Sequence, residues 1–532
     1  MTKYDILVFW PRLYLWEKVF DMATVSVIGA GIGGIAAAAR LAQLGHRVTV
    51  VEKNARPGGR TAALERHGFR FDMGPTLFLM PEIWAETYRA LGERMEDHLD
   101  LVRLDPTYRV HFHDDTMLDL TSELPRMREQ LDTMEPGSFE AFLRFLAEGY
   151  RHYQISLERF VGRNFFSLIE FFSPANLPLI LKLKALVKHQ TNTARYFRDP
   201  RLRAAFSFQN MYLGLSPYDA PATFSLLQYT ELAEGVWFPR GGMYRAIESL
   251  VSIAERLGVR FRYDAPVTKI NIEGERATGV TLASGERLQA DIVIANADLP
   301  YVYARLLPDD GSAARLANKK YTSSALMFYW GVKGERSSGL LHHNVFLADH
   351  LYRQSFDRIF RDLTLPDDPS FYVCAPARTD PTFAPTDGDS IMVLVPVGHI
   401  NEQSPQDWPA LQQRARESVL ARLNNLGLHD LERRIVFEAT MGPPDYNRDL
   451  NLAKGAAFGL SHNFRQVGYM RPHNRHPRYR NLYFVGASTH PGTGLPIVLL
   501  SAQLVVERIQ KEQEMPARRA VLLSCAATRR AL

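Results

Sequence analysis

Six consecutive residues, Gly29-Ala30-Gly31-Ile32-Gly33-Gly34, constrain the fold of this chain more than any other stretch. They follow Thr24 to Ile28, a short run rich in β-branched residues that reads as a buried strand. They precede an alanine-rich helix, Ile35 to Leu44, which Gly45 closes. A second strand, Arg47 to Val51, ends on Glu52. This is a βαβ unit, and its parallel pairing puts the glycine turn at the C-terminal edge of a sheet. Gly29 permits the tight turn, Gly31 lets the backbone approach a pyrophosphate, and Gly34 lets helix and strand pack closely. Gly33 completes the turn. The helix N-terminus adds free N–H groups and partial positive charge. Glu52, 18 residues beyond Gly34, is placed to accept hydrogen bonds from both hydroxyls of a ribose. A dinucleotide site is the reading, and glycines serving only a tight turn are the alternative.

Strand signals return at Val259 to Tyr263, Val267 to Ile272, Ala277 to Leu282 and Asp291 to Ala295, with a tight turn at Gly274-Glu275. Leu482 to Val485 repeats the buried-strand character and leads through a glycine-rich turn into a helix from Pro496 to Lys511. Between Asp97 and Tyr229 the pattern is helical and aromatic, without strands to extend the sheet. The expected fold class is therefore α/β: a discontinuous Rossmann-type domain with an inserted α+β substrate domain. Its nucleotide-binding parts are placed at 24–95, 231–300 and 479–512. The inserted parts are 96–230 and 301–478. Residues 1–23 form an N-terminal extension and 513–532 a tail read as a frayed end.

The chain has 532 residues, 46% of them hydrophobic and 23% charged, which is a globular balance and too long for one core. A net charge of +5, from 63 basic and 58 acidic residues, does not argue for nucleic acid. Two distant cysteines, Cys374 and Cys525, exclude a disulfide framework and fit a reducing cytoplasm. No apolar run approaches the roughly 20 residues of a spanning helix. The aromatic stretch Met1 to Asp21 lacks a signal-peptide cleavage pattern; natural translation starting at Met22 and a short interfacial segment are its two readings.

Two further motifs narrow the ligand. Arg56-Pro57-Gly58-Gly59-Arg60 follows Glu52 closely, and Arg60 offers a fork of donors to phosphates. Near the other end, Gly486-Ala-Ser-Thr-His490-Pro491-Gly492-Thr-Gly494-Leu495-Pro496 repeats the strand, glycine turn and helix arrangement, aiming a second helix N-terminus at a ligand. Together with Gly68 to Thr76, Phe238 to Met243 and Ala295-Asn296-Ala297-Asp298, these stretches resemble the bacterial-type phytoene desaturases. Those enzymes are carotenoid desaturases of the amine-oxidase-like flavoenzyme superfamily. The resemblance spans Val25 to Ile509 and is specific at its ends and loose in the middle. It implies FAD, held by Gly29, Gly31, Gly33, Gly34, Glu52, Lys53, Gly59, Arg60, Val267, Gly486, Gly494, Leu495 and Pro496. It also implies desaturation of an acyclic carotenoid precursor, phytoene towards neurosporene or lycopene. Ile497 stands where phytoene desaturases commonly carry glycine, and with the Ser-Thr-His-Pro wording this is closer to the diapophytoene (C30) desaturases and aldehyde-forming carotenoid oxygenases. A polyene isomerase or saturase is the alternative of another class.

An unactivated allylic C–H is too weak an acid for any side chain, so desaturation must begin with hydride transfer, and the cofactor carries that step. No catalytic dyad is evident. His490 is the active-site candidate because its motif is expected beside the flavin ring, with a role confined to fixing the turn as the alternative. His111 and His113, His342 and His343, and His473 and His476 lack a carboxylate or cysteine at a ligand spacing, so no metal site is expected. Phe160 to Gln190 combines Phe165, Phe166, Phe171, Phe172, Leu177, Leu179, Ile180 and Leu181 with Lys182, Lys184 and Lys188. That mix suits a surface dipping into a bilayer, or helices packed within the second lobe. The expected location is the cytoplasmic face of the cell membrane, peripherally bound, with a hydrophobic polyene as partner.

Overall fold

The computed structural model describes residues 22–348 and 352–530, with side chains at the C-terminal end described through residue 514. The readings of Met1 to Asp21 lie outside the described residues. Five parallel strands form the first sheet, in the order Leu482–Phe484, Ile292–Ala295, Thr24–Ile28, Arg47–Val51, Arg260–Arg262. Numbered along the chain this is 5-4-1-2-3, a doubly wound order whose direction reverses between the first and fourth strands. Their register sets Ile28 opposite both Val51 and Ala295, and Ala295 opposite Phe484. Gly29, Glu52, Asn296 and Val485 therefore leave the sheet at one edge.

Helices cover one face of this sheet. The helix Ile32–Gln43 begins inside the glycine motif, earlier than its alanine pattern suggested, and packs against Tyr244–Arg256 and Leu495–Arg530. Val25, Val27, Ile292 and Ile294 point into that layer. Val293, Ala295, Leu482 and Phe484 point the other way, onto a three-stranded antiparallel sheet built from Val267–Glu273, Arg276–Leu282 and Arg287–Gln289. Burial on both faces explains the unbroken apolar runs that marked these strands in the sequence. The closing helix, Leu495–Arg530, continues through the stretch read as a frayed end.

The second lobe is a seven-stranded mixed sheet whose longest strands are the paired Ser324–Lys333 and Gly388–Val397. Along Ser324–Lys333, Ala325, Met327 and Tyr329 face one core, while Leu326, Phe328, Trp330 and Val332 face another. The region between Asp97 and Tyr229 is less purely helical than expected. Tyr108–His111 and Met117–Leu120 close the edge of this sheet, and Leu101–Leu104 pairs with Val236–Pro239. These strands are four residues long, and a cross-strand ion pair, Arg109 Nε to Asp119 Oδ1 at 2.7 Å, interrupts their apolar pattern. The alternation of His111 and His113 marked a strand at the first of these, and the pairing charges explain why periodicity did not reveal the other.

Phe160 to Gln190 is divided between interior and surface. Phe160, Phe165, Phe171 and Leu183 form a small buried cluster. Lys184 pairs with buried Glu148 and donates to Asn192, so it serves the interior. Phe166, Leu168, Ile169, Leu177, Leu181 and Leu186 are exposed, Ile169 by 85%. No described helix is long and apolar enough to cross a membrane.

Candidate functional site

The sheet edge where strand order reverses opens into a cavity of about 670 Å³ that continues into the second lobe. Its lining includes Gly29, Gly31, Gly33, Glu52, Lys53, Gly59, Arg60, Val267, Gly486, Gly494, Leu495 and Pro496. Residues separated by more than 460 positions thus share one wall. Gly34 is not in the lining; it packs instead, since a Cβ there would lie 2.2 Å from the Gly29 carbonyl oxygen. A Cβ on Gly31 would lie 2.9 Å from Asn296 Nδ2, and Asn296 donates to the Gly29 carbonyl at 3.2 Å. Gly31 caps its helix without a side-chain hydrogen bond, which leaves the first-turn N–H groups available to an anion. Glu52 is buried, with Oε2 accepting from Ala30 N at 2.8 Å and Oε1 from Asn54 N at 2.9 Å. A carboxylate so fixed keeps lone pairs for hydroxyl donors. These residues fit the diphosphate and ribose of a dinucleotide.

The Arg56–Arg60 loop lies against the glycine turn. Gly58 N donates to the Ala30 carbonyl at 2.8 Å, and Gly58 takes a φ of +116° that disfavours a side chain. Arg60 Nη1 donates to the Ala457 carbonyl at 2.9 Å, and burial lowers the arginine's pKa. Lys53 Nζ reaches the Arg448 carbonyl and Asn451 Oδ1 across the cavity mouth. A Cβ on Gly74 would lie 2.0 Å from the Arg60 carbonyl oxygen, so the Gly68 to Thr76 stretch passes directly over this loop. Asp72 then accepts from Met243 N at 3.0 Å and Tyr244 N at 3.2 Å, capping Tyr244–Arg256. Burial pushes its carboxyl up to about 6. The motifs at 68–76 and 238–243 are thereby parts of one joint.

The terminal turn hangs on a residue the sequence did not single out. Arg471 is 1% exposed and donates to the carbonyls of Thr489, Ser461, Gln466, Leu460 and Ala487. Burial lowers its pKa to about 9. His462 Nε2 accepts from Thr493 N at 3.0 Å, and Ser501 Oγ donates to the His490 carbonyl at 2.9 Å. His490 itself is outside the cavity lining. Its Nε2 pairs with the Arg163 carbonyl at 2.9 Å, and burial lowers its pKa to about 4, leaving the ring neutral. The turn is thus joined to the segment at 160–190.

In the second lobe the cavity wall is largely apolar, with Met211, Met327, Val345, Leu347, Phe356 and Met392 among its residues. Among the expected histidines, His111 stacks on Phe346 at 4.3 Å, and burial lowers its pKa to about 4. His476 stacks on Tyr479 at 4.3 Å, and its Nδ1 accepts from Arg478 N and Tyr479 N. His342 and His343 approach Cys374, with one ligating atom of each lying within 4.8 Å of the others. Linear spacing concealed this group because Cys374 faces His343 across two strands.

The family model for flavin-containing amine oxidoreductases matches residues 32–510. A zeta-carotene-forming phytoene desaturase of Myxococcus xanthus is 49% identical over 488 residues, covering 91% of this chain and 93% of the relative. A 4,4'-diapophytoene desaturase of Staphylococcus haemolyticus is 34% identical over 500 residues, covering 92% and 99%. A solved oxidoreductase from Methanosarcina mazei superposes with a TM-score of 0.61 at 18% identity, covering 91% of this chain and all of that one, a likeness of fold alone. The chain belongs to the phytoene desaturase family, a branch of the flavin-containing amine oxidoreductases.

Proposed function

We propose that the chain binds FAD and desaturates phytoene. The observation that carries this is the cavity itself, which runs without interruption from a dinucleotide-binding edge into an apolar chamber. Its polar end holds the phosphate and ribose groups on Gly31, Glu52 and Arg60, and its apolar end selects a hydrocarbon by length and shape. Bound FAD supplies hydride acceptance, while the protein orients the polyene and excludes water. His490, tied to the Arg163 carbonyl, positions the terminal turn. The C40 substrate is favoured over C30 by the identities, 49% against 34%, although Ile497 points the other way.

Incubating the FAD-loaded protein with phytoene in liposomes is expected to give longer-wavelength polyene bands, and the last band formed reports the number of steps. A carbonyl product would establish an oxygenase. Unchanged phytoene alongside conversion of a C30 chain would overturn the C40 reading.

Membrane docking, on a cytoplasmic face, is part of the same proposal. The apolar side chains at Leu168, Ile169, Leu177, Leu181 and Leu186 sit in solvent beside Lys182 and Lys188, a patch that gains by entering an interface with head groups nearby. Ile169→Asp with Leu181→Asp removes apolar contacts of about 2 kcal/mol each and is expected to cut liposome flotation by more than roughly tenfold. Flavin content remains unchanged because neither side chain supports the cofactor site. Undiminished flotation would assign the patch to another surface.

A further inference from the structure

A wall that only fits a hydrocarbon needs no polar atoms, yet one buried hydrogen-bonded chain reaches the cavity surface. Tyr372 and Thr76 both line the cavity. The Tyr372 hydroxyl lies 2.8 Å from Thr76 Oγ1 and 2.6 Å from His343 Nδ1. Thr76 comes two residues after Gly74, the position pressed against the Arg60 carbonyl, so this chain sits close to the cofactor end of the cavity. Strand pairing fixes the arrangement. Tyr372 opposes Val345, and His343 opposes Cys374, so His343 lies on the same sheet face as Tyr372, two residues along its strand from the cavity-lining Val345. His343 Nε2 has no partner, and burial holds the imidazole pKa well below its ordinary value, so the ring is neutral and a proton acceptor. Among the described residues, the hydroxyls of the wall tyrosines Tyr212 and Tyr352 have no hydrogen-bond partner.

Resting on the desaturation reading above, we propose that Tyr372, backed by His343, takes the proton that phytoene must lose after its hydride has gone. The balance is closed. FAD bound at the glycine edge would supply the acceptor for the hydride of one substrate C–H bond, and the adjacent C–H bond releases its proton to the Tyr372 oxygen. The Tyr372 proton passes to His343 Nδ1, and the freed electron pair becomes the new C=C bond. Charge is conserved within the cavity, since a carbocation is exchanged for an imidazolium. An alkyl carbocation is a far stronger acid than even a destabilised imidazolium, so burial of His343 does not stop the transfer. Tyr372 is the catalytic group, touching substrate, and His343 acts through it as a positioning residue and proton store.

The test uses Tyr372→Phe and His343→Gln in the FAD-loaded protein, with flavin absorbance and phytoene uptake measured beside turnover. Both variants are expected to keep flavin and phytoene while kcat falls about 100-fold, the lower range for loss of a general base, with KM little changed. Turnover of Tyr372→Phe within about twofold of wild type would overturn the proposal, as would a His343→Gln variant whose kcat is unchanged or whose loss of turnover comes with an equal rise in KM. Should Tyr372→Phe fail to hold flavin, His343→Gln decides alone by the same two readouts. An inactive wild type would instead overturn the phytoene reading, which keeps the two failures distinct.

Discussion

Gly31→Val yields a folded protein without bound flavin. The Cβ would stand 2.9 Å from Asn296 Nδ2, inside normal contact distance, and Gly31 lines the cavity at its helix N-terminus, so a side chain there takes space over the first helical turn. That space is where backbone N–H groups meet a diphosphate, and the approach needs a residue with no side chain. The backbone at Gly31 takes φ −74° and ψ 166°, an extended conformation that valine adopts without strain, so the fold survives and only the ligand is excluded. Loss of affinity by at least about 100-fold follows from removing several charge-assisted hydrogen bonds of about 1.5–3 kcal/mol each. Visible flavin absorbance of the purified variant and circular dichroism measure the two effects separately. Gly45→Ala, at the other end of the same helix, is the control. Its φ of +89° makes alanine cost about 1–2 kcal/mol, but nothing lies within 4 Å of the new Cβ, and flavin stays. A yellow Gly31→Val protein would refute the assignment of this edge.

How much of this was legible beforehand follows from the range of the interactions. The front βαβ unit was readable because Gly29, Gly31, Gly34 and Glu52 act within one local segment, and the strands buried on both faces announce themselves as apolar runs. The joining of Gly486–Pro496 to Gly29–Arg60 came from resemblance, and parallel register supplies its physical reason, since Ile28, Ala295 and Phe484 lie in one row. Asp72, Arg471 and the Tyr372–His343 pair were not legible. Each works through at least one partner more than 15 residues distant, so its role follows from topology that no periodicity encodes. The alternation of His111 and His113 marked a strand at Tyr108–His111, but Met117–Leu120 was hidden because charged Arg109 and Asp119 pair across the two. The segment at 160–190 shows the limit of composition. Phe165 and Phe166 are adjacent and equally apolar, yet one is buried and the other exposed.

Arg471→Met is expected to lower Tm by roughly 3–5 °C and to release the flavin. The guanidinium donates to five carbonyls, those of Leu460 and Ser461 beside the isolated bridge of Leu460 to Tyr321, Gln466 from a neighbouring turn, and Ala487 and Thr489 from the terminal motif. No other side chain offers five donors in a plane, so the arginine is the one group joining these three stretches at once. Methionine fills a similar volume but leaves five buried carbonyl oxygens without that partner. Orphaning buried acceptors costs about 1–3 kcal/mol each in isolation, and relaxation of the turn reduces the sum, so a net loss of about 3–5 kcal/mol is expected. Arg471→Lys separates charge from geometry. It keeps the cation with three donors on a point, and is expected to recover only part of the Tm and of the flavin. Thermal unfolding with and without excess FAD, followed by circular dichroism, measures both terms. Equal Tm for Arg471→Lys and wild type would show that charge alone holds the turn, and an unchanged Tm in Arg471→Met would show that the hub carries no stability. Because Gly486 and Gly494 to Pro496 line the same cavity as Gly31, loosening that turn should weaken flavin binding even at temperatures where the rest of the chain remains folded. The site is therefore held by glycines that leave room and by an arginine that fills it.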